Sequence, residues 1–122
     1  MKLEITALHM DLEADLKKYV TKKVTKLEKY IPRQVRPSAH LAVVLKESHA
    51  KNKRQFTCEM TLSLKGDTIA VSESTLNIFA ATDIAEATMR NRLKKYKDMH
   101  ISQKAGNKEK KTRRFLGKIL SR

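Results

Sequence analysis

Apolar and polar residues alternate along four stretches of the chain, which is the pattern of strands with one buried face. These strands are predicted at residues 2–9, at 38–47, from Phe56 to Leu64, and in a short segment through Ile69 and Val71. Lys65-Gly66-Asp67 separates the last two strands and is typical of a hairpin turn. The polar stretch from Glu47 to Arg54 predicts a flexible turn between the second and third strands.

Two further stretches repeat their apolar residues at three- and four-residue steps, the period of an amphipathic helix. The first runs from about Glu13 to Tyr30 and the second from about Asn77 to Lys97. Acidic residues cluster at the start of the first helix, where the helix dipole favours negative charge, and Pro32 ends it. Asn77 is a suitable N-cap for the second helix. The predicted element order is therefore β-α-β-β-β-α.

One face of every predicted strand is polar, so we expect helices on one side of the sheet and solvent on the other. The fold class is α+β: a two-layer sandwich of a four-stranded sheet with two helices on one face, laid out like a double-stranded-RNA-binding domain. We assign residues 1–98 to this domain. Residues 99–122 form a basic tail that we expect to be flexible, because it has few apolar side chains. Its segment 113–120 could instead form a short amphipathic turn that contacts RNA, a protein or a membrane surface.

Charge is the main compositional signal, since 27 lysines and arginines face 13 acidic residues and give a net charge of +14. On 122 residues such an excess is usually neutralised by a polyanion. Nucleic acid is favoured over an anionic membrane or an acidic protein because basic stretches recur along the chain. The single cysteine, Cys58, lies in an alternating apolar run and is interpreted as a small buried hydrophobe. With no membrane-length apolar run and no secretory signal, we expect a cytoplasmic protein.

The basic residues concentrate on the two helices. On a helical wheel Lys18, Lys22, Lys26 and Lys29 fall within an arc of about 80°, roughly opposite the apolar face. The last two turns of the second helix carry Arg90, Arg92, Lys94, Lys95 and Lys97 and no acidic residue. A solvated helix face explains some of these lysines, and the helix dipole explains one or two of the second group. Together they predict a broad positive surface that contacts RNA backbones and recognises shape rather than base sequence.

Catalytic and metal-binding patterns are missing from the sequence. The histidines at 9, 40, 49 and 100 are too far apart to form a helical metal pair, and three glycines do not make a phosphate-binding loop. We find no nucleophile elbow and no paired carboxylates. We therefore expect no enzyme activity, no cofactor, no metal site and no small-molecule substrate.

Three motifs resemble the ribosome hibernation promoting factor and ribosome-associated inhibitor family. The first helix contains Lys23-x-x-Lys26-Leu27-Glu28-Lys29-Tyr30, which is similar to the first helix of that family. The second helix begins with Asn77-Ile78-Phe79-Ala80-Ala81 and ends with Lys95-Tyr96-Lys97, as the family's second helix does with small differences. Leu3-Glu4-Ile5-Thr6 fits the first strand. The resemblance covers about residues 1–98 and adds Lys23 to the candidate RNA-binding residues.

The resemblance implies a short-form hibernation factor that binds the small ribosomal subunit and its 16S-type rRNA in the channel for mRNA and tRNA. Such a protein blocks translation by steric exclusion and stabilises inactive ribosomes, as a stress response in stationary phase; ribosome dimers are possible. One alternative is a general structured-RNA-binding module or RNA chaperone, and another is a regulatory interaction domain, since the family has also been labelled a sigma-factor modulator.

The chain departs from the family pattern in three places. In the first helix the family motif selects Lys23, whereas the helical wheel places Lys23 at the edge of the apolar face and favours Lys22. Thr88 and Asn91 are neutral where the family commonly has basic residues. The tail is too short for the dimerisation domain of long family members and is basic, unlike the acidic tail of the inhibitor type.

Overall fold

Four strands and two helices follow one another in the predicted order. A computed structural model describes the backbone of residues 1–50 and 52–116 and the side chains of residues 1–49 and 52–99. The elements are β1 (Lys2–Leu8), α1 (Ala14–Thr25), β2 (His40–Ala50), β3 (Lys53–Leu64), β4 (Asp67–Thr75) and α2 (Ile78–Leu116). Two 3₁₀ segments, Lys26–Tyr30 and Arg36–Ser38, connect α1 to β2.

The strands form one mixed sheet in the order β1-β2-β3-β4. β1 is parallel to β2, which requires a crossover connection, and α1 lies within it. The pairs β2–β3 and β3–β4 are antiparallel and are joined by tight turns. Leu41 lies opposite Leu62, and Val43 opposite Met60, so the apolar residues of neighbouring strands share one face.

Both helices pack on that apolar face and leave the other face to solvent. The α+β two-layer fold predicted from the sequence is therefore confirmed. The side chains that are essentially inaccessible to solvent come from both layers: Val20, Val24, Leu27, Ile31, Leu41, Val43, Leu45, Cys58, Met60, Leu62, Met89 and Leu93. Each such aliphatic side chain contributes about 1.5–3 kcal/mol through burial.

The flexible turn predicted from Glu47 to Arg54 is wrong, because β2 and β3 continue through this segment as a hairpin. Glu47 and Arg54 are diagonal neighbours on the two strands, since Arg54 lies opposite His49. Arg54 Nε donates a hydrogen bond of 2.8 Å to Glu47 Oε2. Asn52 takes a left-handed conformation with φ of 63° at the turn, which asparagine tolerates better than most residues. In this segment polar side chains pair across the strands. The alternating apolar residues that would identify a strand in the sequence are therefore missing.

Lys65 and Gly66 form the second hairpin turn, as predicted, with Leu64 paired to Asp67. Gly66 has a φ of +79°, a conformation that glycine adopts more readily than residues with a Cβ. β4 then extends through Thr75.

Asn77 caps α2 as predicted, since its Oδ1 accepts hydrogen bonds from the backbone N–H groups of Phe79 at 2.7 Å and Ala80 at 3.3 Å. The predicted end of this helix at Lys97 is wrong, because α2 continues to Leu116. Residues 98–116 contain no proline, so every residue of the stretch has the backbone N–H that a continuing helix needs. The assignment of 99–122 to a separate flexible tail stays a prediction: the side chains from residue 100 and the backbone of 117–122 lie outside the described residues.

Cys58 lies in the core and is fully buried, as its alternating sequence context predicted. Desolvation raises the pKa of the thiol to about 11, against a smaller opposing effect of its hydrogen bond with Thr82. We expect a thiol-specific disulfide reagent at mildly alkaline pH to label the folded protein at least about a hundredfold more slowly than the unfolded chain, because the thiolate is both scarce and inaccessible. The chain has one cysteine, so the absorbance change reports this residue alone. Equal labelling rates before and after denaturation would contradict the burial of Cys58.

Candidate RNA-binding surface

α1 and α2 lie side by side and run in the same direction. Near the start of both helices the rings of Tyr19 and Phe79 meet edge to face, with their centroids 5.0 Å apart. At the far end, Tyr30 follows α1 in its 3₁₀ continuation and contacts Lys94 of α2. The carboxyl end of the α1 segment therefore lies beside the part of α2 around Lys94.

The parallel arrangement gives the helical layer two electrically different ends. Asp11, Glu13 and Asp15 precede or open α1, where the helix dipole is positive. Lys26 and Lys29 lie at the other end of the α1 segment, on the side of Lys94. Cations of both helices thus accumulate at one end of the layer, which suits a polyanion.

Tyr30 is the point at which the lysines of the two helices meet. Lys29 Nζ lies 5.4 Å from the centre of its ring and Lys94 Nζ lies 5.5 Å from it. Both distances fall within the range of cation–π attraction, worth about 0.5–1 kcal/mol at exposed sites. The half-buried ring of Tyr30 thereby lies near two ammonium groups, one from each helical segment.

The lysine stripe of the first helix faces solvent, on the side opposite Val20 and Val24. All four of its members are exposed: Lys18, Lys22, Lys26 and Lys29. Within residues 1–49 and 52–99, none of these four has an acidic group within 4.0 Å. Their charges are therefore available to a ligand.

Lys23 differs from the stripe because it takes part in the contact between the helices. Its Nζ lies 3.3 Å from Asp83 Oδ1, and Asp83 also accepts a hydrogen bond from the Tyr19 hydroxyl. That hydrogen bond, together with desolvation and the negative charge of Asp83, raises the pKa of Tyr19 above its usual value. Tyr19 is thus a helix-contact residue, and Lys23 is shared between Asp83 and solvent.

The five basic residues of α2 separate into two groups. Lys94 contacts Tyr30, and Arg90 and Lys97 lie on the same side of the helix at steps of four and three residues. Arg90 Nη2 is 3.7 Å from Glu86 Oε1. Arg92 instead donates a hydrogen bond of 2.7 Å to the carbonyl oxygen of Ala70 in β4, and Lys95 lies on that side too.

We call the first group, together with the lysine stripe, the basic helix surface: Lys18, Lys22, Lys26, Lys29, Arg90, Lys94 and Lys97. Of the residues predicted from the sequence, Lys23 borders this surface, whereas Arg92 and Lys95 lie outside it. Sequence reasoning missed the part played by Tyr30, although the Lys29-Tyr30 pair within the family motif was a signal of it.

Among the described residues no group of three or more histidine, cysteine, aspartate or glutamate side chains could hold a metal ion. Over the same part of the chain, no helix has the length and apolar character needed to cross a membrane.

Comparisons with known proteins place the fold in a family. A family model described as sigma 54 modulation protein / S30EA ribosomal protein matches residues 3–100. The crystal structure of the N-terminal domain of Thermus thermophilus Protein Y is 22% identical, with a TM-score of 0.65, covering 79% of this chain and 99% of that chain. A ribosomal subunit interface protein from Coxiella burnetii is 18% identical, with a TM-score of 0.64, covering 80% and 99% respectively. No curated protein sequence matches the chain.

The contact between the helices predicts a shift in the titration of Tyr19. Replacing Asp83 by asparagine removes the negative charge beside the phenol, so the Tyr19 phenolate should form at a lower pH than in the wild type. A pH titration of the tyrosine ring NMR signals measures this. Asp98→Asn, which removes an equal charge from the same helix, is the control and should leave Tyr19 unchanged. An unchanged Tyr19 pKa in Asp83→Asn would contradict the helix contact described here.

Proposed function

The chain belongs to the sigma 54 modulation protein and S30EA ribosomal protein family, and we propose that it binds the ribosome and holds it inactive. The description of this family names modulation and ribosomal proteins rather than enzymes. The proposed partner is the small subunit with its 16S-type rRNA, and the proposed location is the cytoplasm.

The observation that carries the proposal is the meeting of Lys29 and Lys94 on the ring of Tyr30. It unites the cations of two helices into one surface, which neither helix could form alone. Because RNA carries a phosphate at every nucleotide, a surface of this kind gains affinity by displacing condensed counterions. The lysine stripe adds four exposed ammonium groups to it.

The basic helix surface is suited to recognising the shape of folded RNA rather than its base sequence. Lysine is a compact point charge on a flexible stem, which contacts phosphates without selecting a base. Folded rRNA presents many such phosphates in fixed positions. Bound in the channel of the small subunit, the protein acts by exclusion: mRNA and tRNA cannot occupy the same space. This is the action of a hibernation factor in stationary phase and under stress.

Ribosome pairing, the further outcome that the family resemblance suggested, involves the segment after residue 98. It stays a prediction, since the side chains from residue 100 lie outside the described residues.

Neutralising the lysine stripe tests the role of the basic helix surface. The double variant Lys22→Gln/Lys26→Gln should bind ribosomes more weakly than the wild type, and the plot of log affinity against log salt should be shallower by roughly two. Sedimentation with purified ribosomes over a range of salt concentrations gives both quantities. The matched control is Lys2→Gln/Lys53→Gln, which removes two exposed lysines that lie on strands. Equal losses in the two double variants would show that net charge alone drives binding and would overturn the assignment of the surface.

Competition tests the channel. Pre-loading the ribosomes with mRNA and tRNA should reduce binding of the wild-type chain strongly, because the ligands share one space. A matched RNA duplex in solution should compete poorly. Binding that ignores mRNA and tRNA would contradict channel occupation, and equal affinity for any duplex would favour a general structured-RNA-binding module instead.

A further inference from the structure

A second basic site lies on the opposite side of α2, where that helix passes the edge strand β4. The groove between them has a volume of about 510 Å³, within the range of small-molecule sites. Its lining includes Asp67, Thr68, Ala70, Arg92, Lys95 and Met99. We call it the β4 groove.

Arg92 is held in place at the β4 groove by the structure. Its Nη1 donates to the carbonyl oxygen of Ala70 at 2.7 Å, yet the side chain is exposed to solvent. A guanidinium has five N–H donors in a rigid fork, so one bond to the backbone leaves others for a phosphate. Lys95 lies one helical turn further along and adds a second cation to the same groove.

The edge of β4 contributes backbone groups. The Ala70 carbonyl accepts from α2, so it points away from β3. In an antiparallel ladder every second residue directs both its N–H and its C=O to the same side. Thr68, two residues earlier on β4, therefore also directs its backbone N–H and C=O toward the groove. Such groups can donate to and accept from the edge of a nucleobase.

Two further side chains give the β4 groove a chemical bias. Met99 is 60% exposed, and its flexible thioether offers an apolar surface to a flat ring. Asp67 has no cation within 4.0 Å among the described residues. Its two carboxylate oxygens can accept two parallel hydrogen bonds. Guanine is the base that presents two adjacent donors, its N1–H and its 2-amino group.

We propose that the β4 groove binds one unpaired guanine nucleotide of the RNA, with its phosphate at Arg92 and Lys95 and its base between Met99 and Asp67. This inference rests on the proposed function and deepens it. The basic helix surface recognises the shape of the RNA, whereas the β4 groove would recognise one base. Sequence-selective recognition of RNA commonly uses such splayed-out nucleotides, held by stacking and by hydrogen bonds to their edges.

NMR titration of the isotopically labelled full chain with GMP, AMP, CMP, UMP and inorganic phosphate tests the inference. GMP should shift the backbone signals of Thr68, Ala70, Arg92 and Lys95, and should bind about fivefold more tightly than AMP, near the lower end for a bidentate contact. Asp67→Asn should abolish that preference while AMP binding persists. Lys95→Gln should weaken all four nucleotides by up to about fivefold, as expected for one exposed charge. Lys26→Gln, on the basic helix surface, is the matched control and should change nothing in the groove.

Several outcomes would overturn the β4 groove as a nucleotide site. Inorganic phosphate shifting the same signals with the same affinity as GMP would reduce it to an anion site. Equal affinity for all four nucleotides would show that Asp67 does not select guanine. Ribosome sedimentation distinguishes this inference from the proposed function. If the wild-type chain binds ribosomes but not GMP, only the inference is contradicted. If the chain binds GMP in the groove but does not sediment with ribosomes, the proposed function is contradicted instead.

Discussion

Burial of both helices against a single face of the sheet is the constraint on which the other features depend. Val20 and Val24 of α1 and Met89 and Leu93 of α2 are fully buried there, and each contributes about 1.5–3 kcal/mol. Like-charge repulsion on a helix costs only a few tenths of a kcal/mol per pair. The core therefore fixes the rotation of each helix about its axis, and the charged side chains lie wherever that rotation leaves them.

Among the described residues, most lysines and arginines have no acidic side chain within 4.0 Å. Lys23–Asp83 at 3.3 Å and Lys46–Glu59 at 2.8 Å are pairs of partly exposed side chains, which contribute about 1 kcal/mol or less each. The ring of Tyr30 offsets part of the repulsion between Lys29 and Lys94. A net charge of +14 on this chain is therefore best neutralised from outside.

Periodicity was sufficient to predict the element order, the buried face of each strand, the cap at Asn77 and the turn at Gly66. The motifs were sufficient to predict the family, which the match over residues 3–100 confirms. Polarity misled at residues 47–54, because two exposed strands that pair through Glu47 and Arg54 have the composition of a loop. The sequence also could not predict which element each side of α2 faces. A helical wheel separates Arg90 from Arg92, but only the packed structure shows that one flank faces α1 and the other faces β4.

The change from α-helix to 3₁₀-helix at Lys26 alters the direction of the Lys29 side chain. A helical wheel drawn for an α-helix alone does not show this. Three residues span about 300° in an α-helix but a full turn in a 3₁₀-helix, so side chains three apart become eclipsed. Lys29 is thereby rotated by about 60° and lies directly beyond Lys26. From this position its ammonium group reaches the ring of Tyr30, which Lys94 approaches from α2. The tighter winding of five residues thus joins the lysine stripe of one helix to the basic flank of the other.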